Sequence, residues 1–125
     1  MSKKIVITGG LGYIGTELCK IYSGVSWNNK IIIIDNRFIS ERVNQIRNWN
    51  MEFVHGDILD KDLVNKYCED ADIVHHLAGI TDVPRVKSES KAELEEKIKL
   101  VGEQGTQNII DAISKIVKLF SLPLM

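Results

Sequence analysis

A β-branched run, Lys4–Thr8 (KIVIT), passes directly into Gly9-Gly10-Leu11-Gly12-Tyr13-Ile14-Gly15, and this glycine spacing limits the possible folds more than any other feature of the chain. Glycine at three-residue intervals lets a backbone turn sharply and lets other atoms come close to it. Apolar residues at helical spacing follow at once, with Ile14, Leu18, Ile21 and Tyr22 read as the buried stripe of a helix over Tyr13–Ser23. A strand, a glycine turn and a helix in that order place the unpaired N–H groups and positive dipole end of the helix at the turn. This is a site suited to a phosphate.

The rest of the chain repeats the alternation. Ile31–Ile34 is four consecutive isoleucines, which fits a strand covered on both faces of a parallel sheet. A helix is expected over Arg42–Asn48, a strand over Glu52–His55, and a helix over Asp60–Asp70 with Asp60 as its N-cap. A fourth strand, Ala71–Leu77, precedes a loop containing Pro84, and the longest helix runs over Ser90–Lys115 with Leu94, Ile98, Val101, Ile109, Ala112 and Ile116 on one stripe. Val117–Leu122 is a candidate fifth strand. The expected fold is α/β, one domain over residues 1–125: a Rossmann-type doubly wound parallel sheet of about five strands ordered 3-2-1-4-5.

Composition excludes some partners. Sixteen basic and seventeen acidic residues leave a net charge of −1, which offers no field for nucleic acid or for an anionic membrane surface. The apolar run Ile5–Ile7 is too short for a signal-peptide core or a membrane span, so a cytoplasmic protein is expected. Cys19 and Cys68 lack metal or redox spacing and read as packed, reduced thiols. His75 and His76 have no third ligand nearby, so no metal site is expected.

Asp35 ends the second strand, twenty positions after Gly15. A carboxylate there can accept hydrogen bonds from the adenosine ribose and repel a 2′-phosphate, which favours NAD over NADP. Arg37 pulls the other way, since a guanidinium could receive that phosphate.

Together these residues resemble the extended short-chain dehydrogenase/reductase superfamily, the NAD-dependent nucleotide-sugar epimerases and dehydratases. TGGLGYIG (Thr8–Gly15) is similar to its cofactor fingerprint, and Ile34-Asp35-Asn36 to its ribose-binding strand end. Gly56-Asp57-Ile58 resembles its adenine-contacting motif, His76-Leu77-Ala78-Gly79-Ile80-Thr81 its cofactor-lining segment, and Gly105-Thr106-Gln107-Asn108 an element of its long helix. The resemblance implies cofactor contacts from Gly9, Gly12, Tyr13, Ile14, Gly15, Asp35, Asn36, Asp57, Ile58, Leu77, Ala78 and Gly79. It also implies a homodimer formed through the long helix.

The family's chemistry needs a Tyr-x-x-x-Lys pair, in which the tyrosine is the acid/base. Four residues after Tyr13, Tyr22 and Tyr67 stand Glu17, Ser26 and Ala71, so no tyrosine here has that lysine, and no catalytic residue is assigned. Gly102 replaces the asparagine expected before the helix glycine, and Ser121 is a poor match to the family's serine. The sequence therefore reads as a truncated cofactor-binding part whose nucleotide-sugar substrate is bound only in a full-length relative. The alternative is a dinucleotide-binding or interaction module without chemistry.

Overall fold

The computed structural model describes residues 3–25, 29–79 and 91–114. Most of the Ser26–Asn29 segment, Ile80, Thr81, the Pro84 loop, Ile116 and the candidate fifth strand Val117–Leu122 lie outside the described residues. Four parallel strands form one sheet: β1 (Lys4–Thr8), β2 (Lys30–Asp35), β3 (Glu52–His55) and β4 (Ile73–His76). Their order is β3-β2-β1-β4, the first four positions of the expected arrangement. The chain steps outward from β1 through β2 to β3 and then crosses back to lie beside β1. The direction of winding thus reverses between β1 and β4, and such a switch point opens a crevice at the carboxyl ends of the strands.

The sheet is the middle of three layers. Ile5, Ile7, Ile31 and Ile33 pack on one face against Cys19 of α1 (Tyr13–Ser23) and Val43 and Ile46 of α2 (Ser40–Asn48). Val6, Ile32 and Ile34 pack on the other against Val64 and Cys68 of α3 (Lys61–Cys68) and Ile109, Ala112 and Ile113 of α5 (Thr106–Ser114). The isoleucine run feeds both cores alternately, because successive side chains on a strand point to opposite faces. Asp60 caps α3 as expected, its carboxylate accepting from the Leu63 N–H at 3.2 Å.

Two details of the helices differ from the sequence reading. Ile14 and Ile21 are exposed, whereas Gly15 and Cys19 are buried and Leu18 and Tyr22 half-buried. Gly15 must lie against the turn, which rotates the buried stripe of α1 to the positions three, four and seven residues beyond it. The long helix is also divided: α4 (Lys91–Lys99) runs through a π-helical stretch, Leu100–Gly105, into α5.

β4 carries two adjacent histidines that face opposite layers. His75 meets the Tyr22 hydroxyl of α1 at 2.7 Å, and His76 meets Thr106 at the start of α5 at 3.0 Å. Burial holds both imidazoles below the ordinary histidine value of 6.5. The cysteine thiols, both free and buried, are pushed up to about 11 by the same cause.

Two stability outcomes follow. Ile33→Ala removes a fully buried side chain and is expected to cost ~2–5 kcal/mol, against ~1 kcal/mol for Asp60→Ala at the cap; urea unfolding ranks the two. The unfolded chain also takes up protons on His75 and His76 before the folded chain does. Stability is therefore full above the ordinary value of 6.5, falls as the pH drops through the lowered folded values, and then levels off. Urea midpoints at neutral pH and near pH 5 measure the slope, which a His75→Asn/His76→Asn double variant should flatten.

Candidate cofactor site at the carboxyl edge of the sheet

Thr8, Asp35, His55 and His76 end the four strands on one edge, so the loops that follow them border the same crevice. The turn after β1 is built by close backbone contact. Gly9 has φ +71°, in the left-handed region, and a Cβ there would sit 2.8 Å from the Ala78 N and 2.9 Å from the Leu77 carbonyl carbon. Gly15 has no room either: a Cβ would strike the Gly9 carbonyl oxygen and lie 2.6 Å from the Gly10 Cα. Gly12 differs, since a Cβ would touch its neighbours only at 3.4 Å and beyond. Its side-chain space opens to the outside of the turn. Gly12 caps α1 without any side-chain bond, which leaves the first helical N–H groups to whatever binds there.

Side chains then lock the turn to the neighbouring strands. The Thr8 Oγ1 accepts from the Leu77 and Ala78 N–H groups, both at 3.1 Å. Its two lone pairs are thereby used, so its own hydrogen is donated to His76 Nδ1 at 2.7 Å. His76 is thus neutral with its proton on Nε2, which donates to the Thr106 Oγ1 at 3.0 Å. A single hydroxyl joins β1, β4 and, through the imidazole, α5.

Asp35 is where the sequence reading most needs qualification. Its carboxylate is buried, and it accepts from the Leu11 N–H and the Arg37 N–H, both at 3.0 Å. The Arg37 guanidinium adds two more bonds, Nε to Oδ1 and Nη2 to Oδ2, each at 3.2 Å. Four donors fill the acceptor capacity of a carboxylate. Asp35 therefore holds the turn and Arg37 rather than facing the crevice with free oxygens. The same guanidinium passes 3.6 Å from the position of a Cβ on Gly12.

The remaining candidate residues divide by exposure. Tyr13 is 87% exposed and stacks beneath Arg42, whose guanidinium carbon is 5.6 Å from the ring centre and which also donates to the Leu11 carbonyl. Ile14, Asn36, Asp57, Leu77 and Gly79 are exposed, and Ala78 is half-buried. Asn36 accepts through its carbonyl from the His55 Nε2 at 3.0 Å, and Asp57 uses one carboxylate oxygen to accept from the Leu59 N–H at 2.9 Å. Ile58 is the exception, buried in the core. Sequence reasoning did not single out Arg42, Thr106 or Asn108 as site-holding residues. For Thr106 and Asn108 the signal was only that Gly105–Asn108 resembles a family element, with no indication of what it touches; Arg42 carried none.

Among the described residues no group of three or more His, Cys, Asp or Glu side chains could hold a metal, and no helix is long and apolar enough to cross a membrane.

Comparison with known proteins agrees with this geometry. The chain is 30% identical over 118 residues to the UDP-N-acetyl-alpha-D-glucosaminuronate decarboxylase of Bacillus cytotoxicus, a match that covers 92% of this chain and 34% of that protein. Its structure superposes on the UDP-N-acetylglucosamine 4-epimerase of Methanobrevibacter ruminantium, in complex with UDP-N-acetylmuramic acid, with a TM-score of 0.71 and 28% identity over 91% of this chain and 34% of that one. The UDP-glucose 4-epimerase of Brucella ovis in complex with NAD matches with a TM-score of 0.67 and 26% identity, over 88% of this chain and 31% of that one. The chain thus spans about a third of the length of these relatives. The model of the 3-beta hydroxysteroid dehydrogenase/isomerase family matches residues 6–119, and the chain belongs to that family, within the extended short-chain dehydrogenase/reductases.

Proposed function

We propose that this chain is the NAD-binding part of a nucleotide-sugar epimerase or dehydratase. The observation that carries the reading is the turn itself: an uncapped helix start, an open Gly12 and a buried Asp35 meet at the switch point of a parallel sheet. The donor set fits a dinucleotide. The N–H groups of the first turn of α1, including Tyr13, Ile14 and Gly15, would take the pyrophosphate, with Gly9 and Gly12 leaving room for it. Asp35 and Asn36 would take the adenosine ribose, Asp57 and Ile58 the adenine, and Leu77, Ala78 and Gly79 would line the remainder. When bound, NAD supplies an acceptor and donor of hydride. The similar proteins, a UDP-sugar decarboxylase and two UDP-sugar 4-epimerases, one of them with NAD, support a nucleotide-sugar as the substrate of the whole enzyme.

The chain's own part is to bind and orient. It contains no Tyr-x-x-x-Lys pair, and His75 and His76 are engaged with Tyr22, Thr8 and Thr106 rather than free to act as bases. We assign the acid/base chemistry of the whole enzyme to residues other than these 125. Two buried, unpaired thiols support a cytoplasmic setting. A homodimer is part of the same proposal, supported by the exposed Leu100 on the long helix. Sedimentation at high micromolar concentration should show a dimer, and a monomer throughout removes that part.

Calorimetric titration tests the cofactor reading. NAD should bind more tightly than NADP, and equal or tighter NADP binding overturns the assignment of Asp35. Gly12→Val should abolish NAD binding, because its side chain would fill the phosphate space, although its Cβ meets the turn only at 3.4 Å and beyond. Arg37→Ala frees two of the Asp35 oxygen positions. NAD should then bind ~5-fold tighter, about 1 kcal/mol, while NADP loses a guanidinium beside the strand end and binds more weakly.

A further inference from the structure

We infer that the helical turn Gln104–Asn108 positions the bound dinucleotide by holding, through separate side chains, the loop after β3 at its base end and the loop after β4 along the remainder. The inference rests on the NAD reading above. Asn108 is 2% exposed, yet its amide is not committed to its own helix alone. Its Nδ2 donates to the Ile58 carbonyl at 2.9 Å, and its Oδ1 accepts from the Gln104 Nε2, also at 2.9 Å. Each end of the amide has a complementary partner, so a flipped amide would set oxygen against oxygen and nitrogen against nitrogen. The orientation of the clamp is thereby fixed.

Its target is the loop after β3. Gly105 brings the helix close enough, since a Cβ there would lie 2.9 Å from the Ile58 Cγ1 and strike its Cδ1. With the Ile58 side chain buried and its carbonyl held, the adjacent Asp57 has one oxygen in the bond to Leu59 N–H while the residue stays exposed. Two positions before Asn108, Thr106 accepts from His76, which receives the Thr8 hydrogen, and Thr8 in turn holds the Leu77 and Ala78 N–H groups. One turn of helix therefore holds the loops after β3 and after β4. A π-helical stretch, a form of helix often found at functional sites, runs from Leu100 and ends at this turn. An apolar side chain would serve packing alone at a position this buried; an amide spent on a loop carbonyl serves placement.

The test uses the full chain and two ligands that differ only at the base: NAD and nicotinamide hypoxanthine dinucleotide, which has oxygen in place of the adenine amino group. Calorimetry of the unchanged protein should show preference for NAD. Asn108→Ala should weaken NAD roughly tenfold and bring the two ligands to within about twofold of each other, the scale of one buried hydrogen bond. Gln104→Ala is an exposed substitution expected to keep the fold, and it should move the ratio the same way by less. It decides the matter if Asn108→Ala does not fold. An unchanged protein that binds both ligands alike overturns the inference, as do variants that weaken both in equal proportion. If the unchanged protein binds no NAD at all, the cofactor reading itself is wrong.

Discussion

Everything at the carboxyl edge of this sheet depends on one steric constraint, the contact of three backbone segments at Gly9. The chain leaves β1 through a left-handed residue, the Leu77–Ala78 peptide lies against it, and Gly15 presses α1 onto its carbonyl. A methyl group at either glycine separates those segments. The first turn of α1 would then no longer point its N–H groups at the place where β1 and β4 part. Gly12, in the same motif, has no such role in packing, since a Cβ there would meet its neighbours only at 3.4 Å and beyond. The spacing thus serves two purposes: two glycines make the turn and one leaves it open.

Polar side chains hold this arrangement by filling their capacity for hydrogen bonds. Thr8 uses its hydrogen and both lone pairs, and that full use settles the tautomer of His76. Asp35 accepts four bonds, two from backbone N–H groups and two from Arg37. The backbone pair holds the turn, and the guanidinium pair ties Arg37 to the end of β2.

Part of this was legible in the residues and part was not. The alternation of strands and helices, the outward winding from β1 and the N-cap at Asp60 follow from local patterns, because period, turn chemistry and capping act over a few residues. The buried face of α1 was misjudged from hydrophobicity alone, since Ile14 and Ile21 look like core until Gly15 is seen to need the contact with the turn. The interruption of the long helix has no hydrophobic signal at all. Its π-helical stretch ends where Gly105 meets Ile58, a residue forty-seven positions earlier in the chain.

By itself the sequence determined the fold class and the order of the described strands. Both were implied by the alternation of strands and helices, a pattern carried by period, turns and caps within a few residues. Tertiary structure alone decided which distant side chains brace the loops at that edge: Thr106 on His76, and Asn108 on the Ile58 carbonyl. Thirty residues separate Thr106 from His76, and fifty separate Asn108 from Ile58. Hydrogen bonds of that kind have no sequence period, because they depend on a distance of about 3 Å that exists only once both layers have packed on the sheet.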